Sequence, residues 1–283
     1  MMDFDQLWDF GQPDKTEQQF RALLDTHPAD ANYRLQLLTQ IARAQGLQAQ
    51  FEAAHETLNT IEPHLNESLP MVKARYLLER GRVFNSSGQP EAARPLFEAA
   101  LEAIHAAATS DPDADFYAVD TLHMLAIVAS GAESLTLNLR ALEVAEASSS
   151  ERARNWLGSL YNNIGWVYHD FGQFEDALAV FEKAVSWRVK QGKPTEIHIA
   201  RWCVARTLRS LNRPEDALAI LNSLEASEDG YVYEELGECN LLLGKPHQDF
   251  FARAYELLSA DSWLAGHEPE RLARLKLLGM VTG

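Results

Sequence analysis

The chain has 283 residues, 46% hydrophobic and 23% charged, a globular balance that excludes wholesale disorder. Lys and Arg total 25 against 41 Asp and Glu, so the formal net charge is −16, which argues against nucleic-acid or membrane partners gripped non-specifically as polyanions. Two cysteines, Cys203 and Cys239, cannot build a disulfide framework and fit a reducing compartment. The opening Met-Met-Asp-Phe-Asp-Gln-Leu-Trp lacks the basic and apolar regions of a secretion signal, and no apolar stretch approaches the ~18 residues of a membrane span. A soluble cytoplasmic protein is expected.

The first predicted element is an amphipathic helix over 15–26 (KTEQQFRALLDT), with Phe20, Leu23 and Leu24 on one face; residues 1–32 read as an N-terminal cap. From about 33 to 258 a helix–turn–helix frame recurs. It is clearest over 160–184, where Tyr161, Ile164, Gly165 and Tyr168 share a helical face. Gly172 and Gln173 break that pattern, and Phe174, Ala177, Phe181 and Ala184 start a second one. The first helix carries a small residue at Ala42, Gly81, Ala126, Gly165, Ala205 and Gly237, where a neighbouring helix can approach closely. The second helix repeats an alanine at Ala54, Ala93, Ala177 and Ala217, replaced by Asn138 and Asp249 in the weaker third and sixth repeats. Four residues further stand Leu58, Phe97, Leu142, Phe181 and Leu221.

Turns carry Gly88, Gly172, Asn212 and Gly244, which tolerate a left-handed helix end. Pro90, Pro214 and Pro246 follow two residues later, suited to a helix start. Pro95 lies inside a second helix and is expected to kink it, at a cost of about 3 kcal/mol if unrelieved. In the sixth repeat Phe251, Tyr255 and Leu258 restore an apolar face if the turn is two residues longer. Residues 106–115 and 148–150 read as loops between repeats, and 268–279 (EPERLARLKLLG) as a capping helix within a C-terminal cap of 259–283.

This pattern resembles the tetratricopeptide repeat, W-x2-L-G-x2-Y followed by A-x3-F-x2-A, most fully at Tyr161, Ile164, Gly165, Tyr168, Ala177, Phe181 and Ala184. The recurring Ala position, filled by Asn138 in the third repeat, is spaced by 39, 45, 39 and 40 residues from Ala54 to Ala217, longer than the usual 34. In period the chain is similar to kinesin light chains and to bacterial peptide-sensing regulators of the Rap type. The resemblance implies an all-α, right-handed α-solenoid of about six helix pairs with capping helices at both ends, a single domain over 1–283. It also implies a protein-interaction module, an adaptor or regulator, with no reaction of its own.

In this family the first helix of each pair lines the concave side, and the frame then names inward places. Five of the twenty in the first five repeats are Arg and one is acidic, in a chain where acids outnumber bases. The candidate peptide-binding residues are Arg43, Arg75, Arg82, Asn85, His123, Asn162, Trp166, His169, Trp202, Arg206 and Arg209. Guanidinium forks match carboxylates and exposed indoles supply flat apolar area, which suits an acidic or C-terminal protein segment. The competing reading is that these arginines pair with neighbouring carboxylates and that the indoles pack between helices.

No phosphate loop, H-E-x-x-H, C-x-x-C or G-x-S-x-G occurs, and no cofactor, metal or catalytic residue is expected. Glu102 and His105 form one E-x-x-H without a second, His169-Asp170 sits at a helix end, and both cysteines read as buried thiols. Self-association is the alternative role, through the weak sixth repeat and Trp263-Leu264, unless the last helix folds over Trp263.

Overall fold

A helix without a side chain at one point lets its neighbour's side chain lie against its backbone, and this interlock organises the chain. The computed structural model describes residues 4–26, 30–66, 69–108, 111–224 and 228–280. Among these there are sixteen α-helices, two short 3-10 helices and no strand. The chain divides into two compact units, Met1–Leu160 and Tyr161–Gly283.

In the first unit a 3-10 helix (Phe4–Leu7) and α1 (Pro13–Thr26) precede three helix pairs. These are α2 (Ala31–Leu47) with α3 (Phe51–Ile61), α4 (Pro70–Ser86) with α5 (Pro90–Ala107), and α6 (Ala114–Val128) with α7 (Gly131–Ala147). The short α8 (Glu151–Arg154) follows the predicted Ser148–Ser150 loop, and α9 (Leu157–Asp170) begins at the end of this unit. The second unit pairs the rest of α9 with α10 (Phe174–Gln191), α11 (Pro194–Ser210) with α12 (Pro214–Leu221), and α13 (Gly230–Leu242) with α14 (Gln248–Leu258). It closes with α15 (Ser262–His267), which the sequence pattern did not show, and α16 (Pro269–Leu278). Within each unit, first helices of successive pairs pack side by side, α2 on α4, α4 on α6, and α11 on α13.

The predicted small residues sit at the interlock in two sizes. A Cβ on Gly81, Gly165 or Gly237 would lie 2.4, 2.5 or 2.8 Å from the ring of Phe97, Phe181 or Phe251, all fully buried. In the first and fifth pairs the first helix carries alanine and shares a core cluster with a leucine of the second, Ala42 with Leu58 and Ala205 with Leu221. The rings need the space of a missing methyl, and the smaller leucine leaves room for it.

The turns follow one geometry. Gly88, Gly172, Asn212 and Gly244 all have left-handed φ, as does Ala49 in the first pair. The next residue's N–H reaches back five residues, Gln50 to Gln45, Gln89 to Phe84, Gln173 to Tyr168, Arg213 to Leu208 and Lys245 to Asn240, each at 2.9 Å. This satisfies a carbonyl that a helix end leaves open. The third pair departs: Ala129 is extended and Gly131 carries the positive φ.

Four details bear on the sequence expectation. Pro90 and Pro214 begin α5 and α12, whereas Pro246 precedes the helix start, since α14 begins at Gln248. Helix α5 runs unbroken through Pro95. It also extends to Ala107 and α6 starts at Ala114, so helix takes both ends of the expected 106–115 loop; Thr109 and Ser110 lie outside the described residues. In the sixth pair the connection is two residues longer than in the fourth, yet Phe251 reaches Gly237 from the first turn of its helix. There Phe251, Ala254 and Leu258 are buried and Tyr255 is half-buried.

The terminal helices each bury one apolar face on their neighbours. In α1 Phe20 is fully buried against Phe4, Tyr33, Leu37 and Ile41. In α16 Leu272 and Leu275 pack on Phe251, Ala254 and Leu258.

Candidate binding surface on the first helices

In the first unit the expected arginines are on the first helices, and carboxylates of the chain meet them. Arg82 lies 2.5 Å from Asp120 and 3.2 Å from Glu79; Arg43 lies 3.6 Å from Glu79 and 4.0 Å from Asp120. Both carboxylates are almost fully buried. Burial pushes the Glu79 carboxyl above its ordinary value against the pull of Arg43 and Arg82. For Asp120 burial acts in the same sense, but Arg82 and Arg43 prevail and hold it low. Arg75, 3% exposed, is bound to Asp5 and to the Gln36 amide oxygen. Asn85 and His123 are half-buried, the His123 ring 5.1 Å from Trp156.

The remaining candidates come together in the second unit, on α9 and α11. The rings of Trp166 and Trp202 are 5.8 Å apart and both indoles are half-buried. Trp202 Nε1 donates to the Tyr231 carbonyl at 3.1 Å, and its ring meets Tyr231 edge-on at 5.9 Å. Trp166 leans against Phe181 at 5.3 Å and His169 at 5.2 Å. His169 Nε2 shares a hydrogen bond with Ser210 Oγ at 2.9 Å, and burial holds the imidazole below its ordinary value. Asn162 Oδ1 accepts from the Cys203 thiol at 3.5 Å. Each indole thus packs on one side and keeps part of its surface in solvent.

Next to them, Glu235 of α13 receives both nearby arginines. Arg209 grips it with two bonds, at 2.5 and 3.0 Å, and Arg206 stands 3.2 Å away. Glu235 is 4% exposed; burial raises its carboxyl to about 7 while Arg209 opposes the rise. Arg206 keeps 31% of its side chain exposed against 17% for Arg209. The basic face read from the sequence is therefore largely neutralised by the chain's own carboxylates. Glu79 was within reach of the pattern, four residues after Arg75 and three before Arg82; Asp5 and Glu235 carried no local signal.

Elsewhere in the second unit, α10, α11 and α12 border a cleft of about 480 Å³ lined by Val185, Val204, Ile220 and the exposed Arg201. Cys203 and Cys239 are buried free thiols, pushed up to about 12 by burial. No helix is long and apolar enough to cross a membrane, and no group of three or more His, Cys, Asp or Glu is placed to hold a metal, both among the described residues.

Two segments match family models, residues 158–188 "Tetratricopeptide repeat" and residues 74–137 "Tetratrico peptide repeat". No curated protein matches the chain. Among solved structures, a signal-transduction ATPase with numerous domains from Pyrococcus horikoshii, with a tetratricopeptide repeat sensor, aligns with TM-score 0.72 at 14% identity. The match covers 95% of this chain and 42% of that one, so the present chain spans less than half of the larger protein. BtubC of P. vanneervenii aligns with TM-score 0.59 at 14% identity, over 80% of this chain and 91% of its own. NprR, solved with its cognate peptide NprX, aligns with TM-score 0.51 at 16% identity, over 97% of this chain and 81% of its own. At such identities the likeness is one of fold. The interlock and the left-handed turns recur through helix pairs that include both matched segments, and the chain carries tetratricopeptide repeats over 74–137 and 158–188.

Proposed function

We propose that the chain is a non-catalytic interaction module that holds an acidic or C-terminal protein segment on its first helices, with Trp166 and Trp202 as the apolar platform and Arg206 as the charge directed at a carboxylate. One observation carries this reading: two half-exposed indoles 5.8 Å apart stand beside the more open of the two guanidiniums that share Glu235. Such a site joins flat apolar area held at low entropy cost to a fork that matches a carboxylate. Asn162, His169 and Arg209 belong to the same surface. In the first unit Arg43, Arg75 and Arg82, with Asn85 and His123, form the corresponding face, its arginines already held by carboxylates. The NprR structure with its peptide supports the reading, since that fold accommodates one.

Selection of peptides by the full chain from a library of acidic and free-carboxylate sequences, followed by fluorescence anisotropy, tests this. Trp166→Ala and Arg206→Glu are each expected to weaken the selected peptides about tenfold or more, as for a central anchor. Affinities unchanged for every selected peptide would refute it.

One observation favours self-association as a second reading. Trp263 is 58% exposed, stacked on its own His267, while α16 packs on α14. Light scattering of the wild type and of Trp263→Ser decides it: a dimer lost in the variant supports the contact, and a monomeric wild type ends it.

A further inference from the structure

The first-helix face of the first unit has an occupant. Residues Phe4–Leu7 form a single 3-10 turn outside every helix pair, and side chains from Phe4 to Phe10 are held there much as a bound peptide would be. Asp5 Oδ1 accepts from Arg75 Nη2 at 2.8 Å. Asp5 Oδ2 accepts from Arg152 Nη2 at 2.9 Å, Tyr117 Oη at 3.1 Å and Arg75 Nη1 at 3.2 Å. Phe4 meets Tyr33 and Phe20 edge-on at 5.1 and 6.2 Å, with the Arg75 guanidinium 5.0 Å from its ring. Trp8 donates to Gln40 Oε1 at 2.9 Å, and the Arg43 guanidinium lies 5.5 Å from Trp8 and 5.3 Å from Phe10.

A segment that only covered apolar surface would need no such chemistry. An apolar side chain in place of Asp5 would avoid burying a carboxylate, and a buried ion pair adds little stability while in some systems fixing which partner fits. Both arginines have further partners: Arg152 also pairs with Asp113 at 2.8 Å, and Arg75 reaches Gln36 Oε1 at 3.0 Å. Without Asp5, Arg75 keeps that neutral amide oxygen as its hydrogen-bond acceptor, and the site carries an excess positive charge. Two guanidiniums and a phenol converging on one carboxylate, flanked by aromatic contacts on both sides, describe a recognition site.

We propose that Arg75, Arg152 and Tyr117 form a carboxylate-binding site for protein segments of the pattern aromatic-Asp-x-x-aromatic, and that the chain's own Phe4-Asp5-Gln6-Leu7-Trp8 is its tethered occupant, displaced by a partner segment of the same chemistry. The proposal rests on the reading of the first helices as a segment-binding face and names its ligand and its control in the first unit. Tethering gives the internal segment an effective concentration on the order of mM, so a free peptide competes poorly with the intact chain.

A fluorescein-labelled peptide of residues 4–12, titrated with the full-length protein and followed by anisotropy, tests it. Asp5→Asn keeps the shape of the internal segment and removes its charge; this variant is expected to bind the peptide at least about tenfold more tightly than the wild type. Adding Arg152→Ala should abolish that gain, and adding Trp166→Ala should leave it. A peptide carrying Asp5→Asn should bind neither protein tightly. Equal binding by wild type and Asp5→Asn overturns the proposal, as does a gain that survives Arg152→Ala. Loss of helical circular dichroism in Asp5→Asn also overturns it, because the segment is then part of the fold rather than its occupant. A gain dependent on Trp166 and indifferent to Arg152 overturns this site while leaving the second-unit surface standing.

Discussion

Gly165→Ala adds one methyl group to the interlock between α9 and α10. Its Cβ would stand 2.5 Å from Phe181 Cε1 and 2.7 Å from both Cδ1 and Cζ. Ordinary carbon contacts are about 3.5–4.0 Å, so ring and helix must separate by roughly 1 Å. Phe181 is fully buried among Ala177, Cys203, Ala205 and Leu208, which leaves it no free direction. Alanine is the better helix former by about 1 kcal/mol, whereas overpacking a tight core costs typically 1–3 kcal/mol. With three ring atoms inside 2.8 Å the upper end of that range applies, and a net loss of about 2 kcal/mol is expected. Phe181→Leu alone leaves a void and is also destabilising. The double variant recreates the Ala42–Leu58 and Ala205–Leu221 arrangement and should recover most of the loss, a coupling of about 1–3 kcal/mol. Urea unfolding read by circular dichroism and by Trp166, whose ring is 5.3 Å from Phe181, supplies the four free energies. A Gly165→Ala variant as stable as the wild type, or additive losses in the cycle, would refute the interlock argument.

Three further outcomes are expected. Because the Glu235 carboxyl rises from 4.5 to about 7 on folding, the folded chain holds a proton that the unfolded chain has released across that window. Its contribution is complete below the unfolded value and is lost as pH climbs through about 7, a change on the order of 3 kcal/mol. Glu235→Gln stays neutral, so its unfolding free energy minus that of the wild type should grow between about pH 5 and 8 in urea titrations; a constant or shrinking difference would mean that Arg206 and Arg209 outweigh burial. Cys203 and Cys239, both buried and raised to about 12, should resist Ellman's reagent in the native chain and react in urea, and rapid native labelling would contradict their burial. Asn138 occupies an alanine position with its Nδ2 donating to the Ser134 carbonyl at 3.0 Å and its buried Oδ1 without a partner. Asn138→Ala should therefore raise the urea midpoint, by about 1 kcal/mol in free energy, and a comparable loss would show that the amide matters.

The repeat frame was legible because it follows from local rules: helical spacing, a left-handed residue at the turn, a small residue where backbones meet. The matching of Gly to Phe and of Ala to Leu is a relation between two helices, and it emerges only when their contact is seen. Arg43 and Arg82 stand on first helices against Glu79 and Asp120, and Trp166 and Trp202 keep part of their surface exposed. Arg75, by contrast, is 3% exposed, since α4 packs against α2, α5 and α6 at once. The positive character of the face was overread for a physical reason. A composition bias counts charges on one element, while neutralisation comes from elements distant in sequence, as with Asp5, 70 residues from Arg75 and 147 from Arg152. Helix α15 escaped because six residues are too few for a period to declare itself; its start rests on Asp261, whose side chain accepts from the Trp263 and Leu264 amides.

The two sizes of interlock bear on how such a chain can be lengthened or recombined. A crossover that duplicates a whole helix pair carries both halves of a lock and its key, and the new copy closes on itself. A crossover falling at the turn, by contrast, can join a glycine helix to a leucine helix or an alanine helix to a phenylalanine helix, leaving a hollow in one product and a collision in the other. The left-handed turns, so uniform in backbone, are thus the positions where exchange between unlike copies would be selected against, and the exchangeable unit is the hairpin rather than the helix.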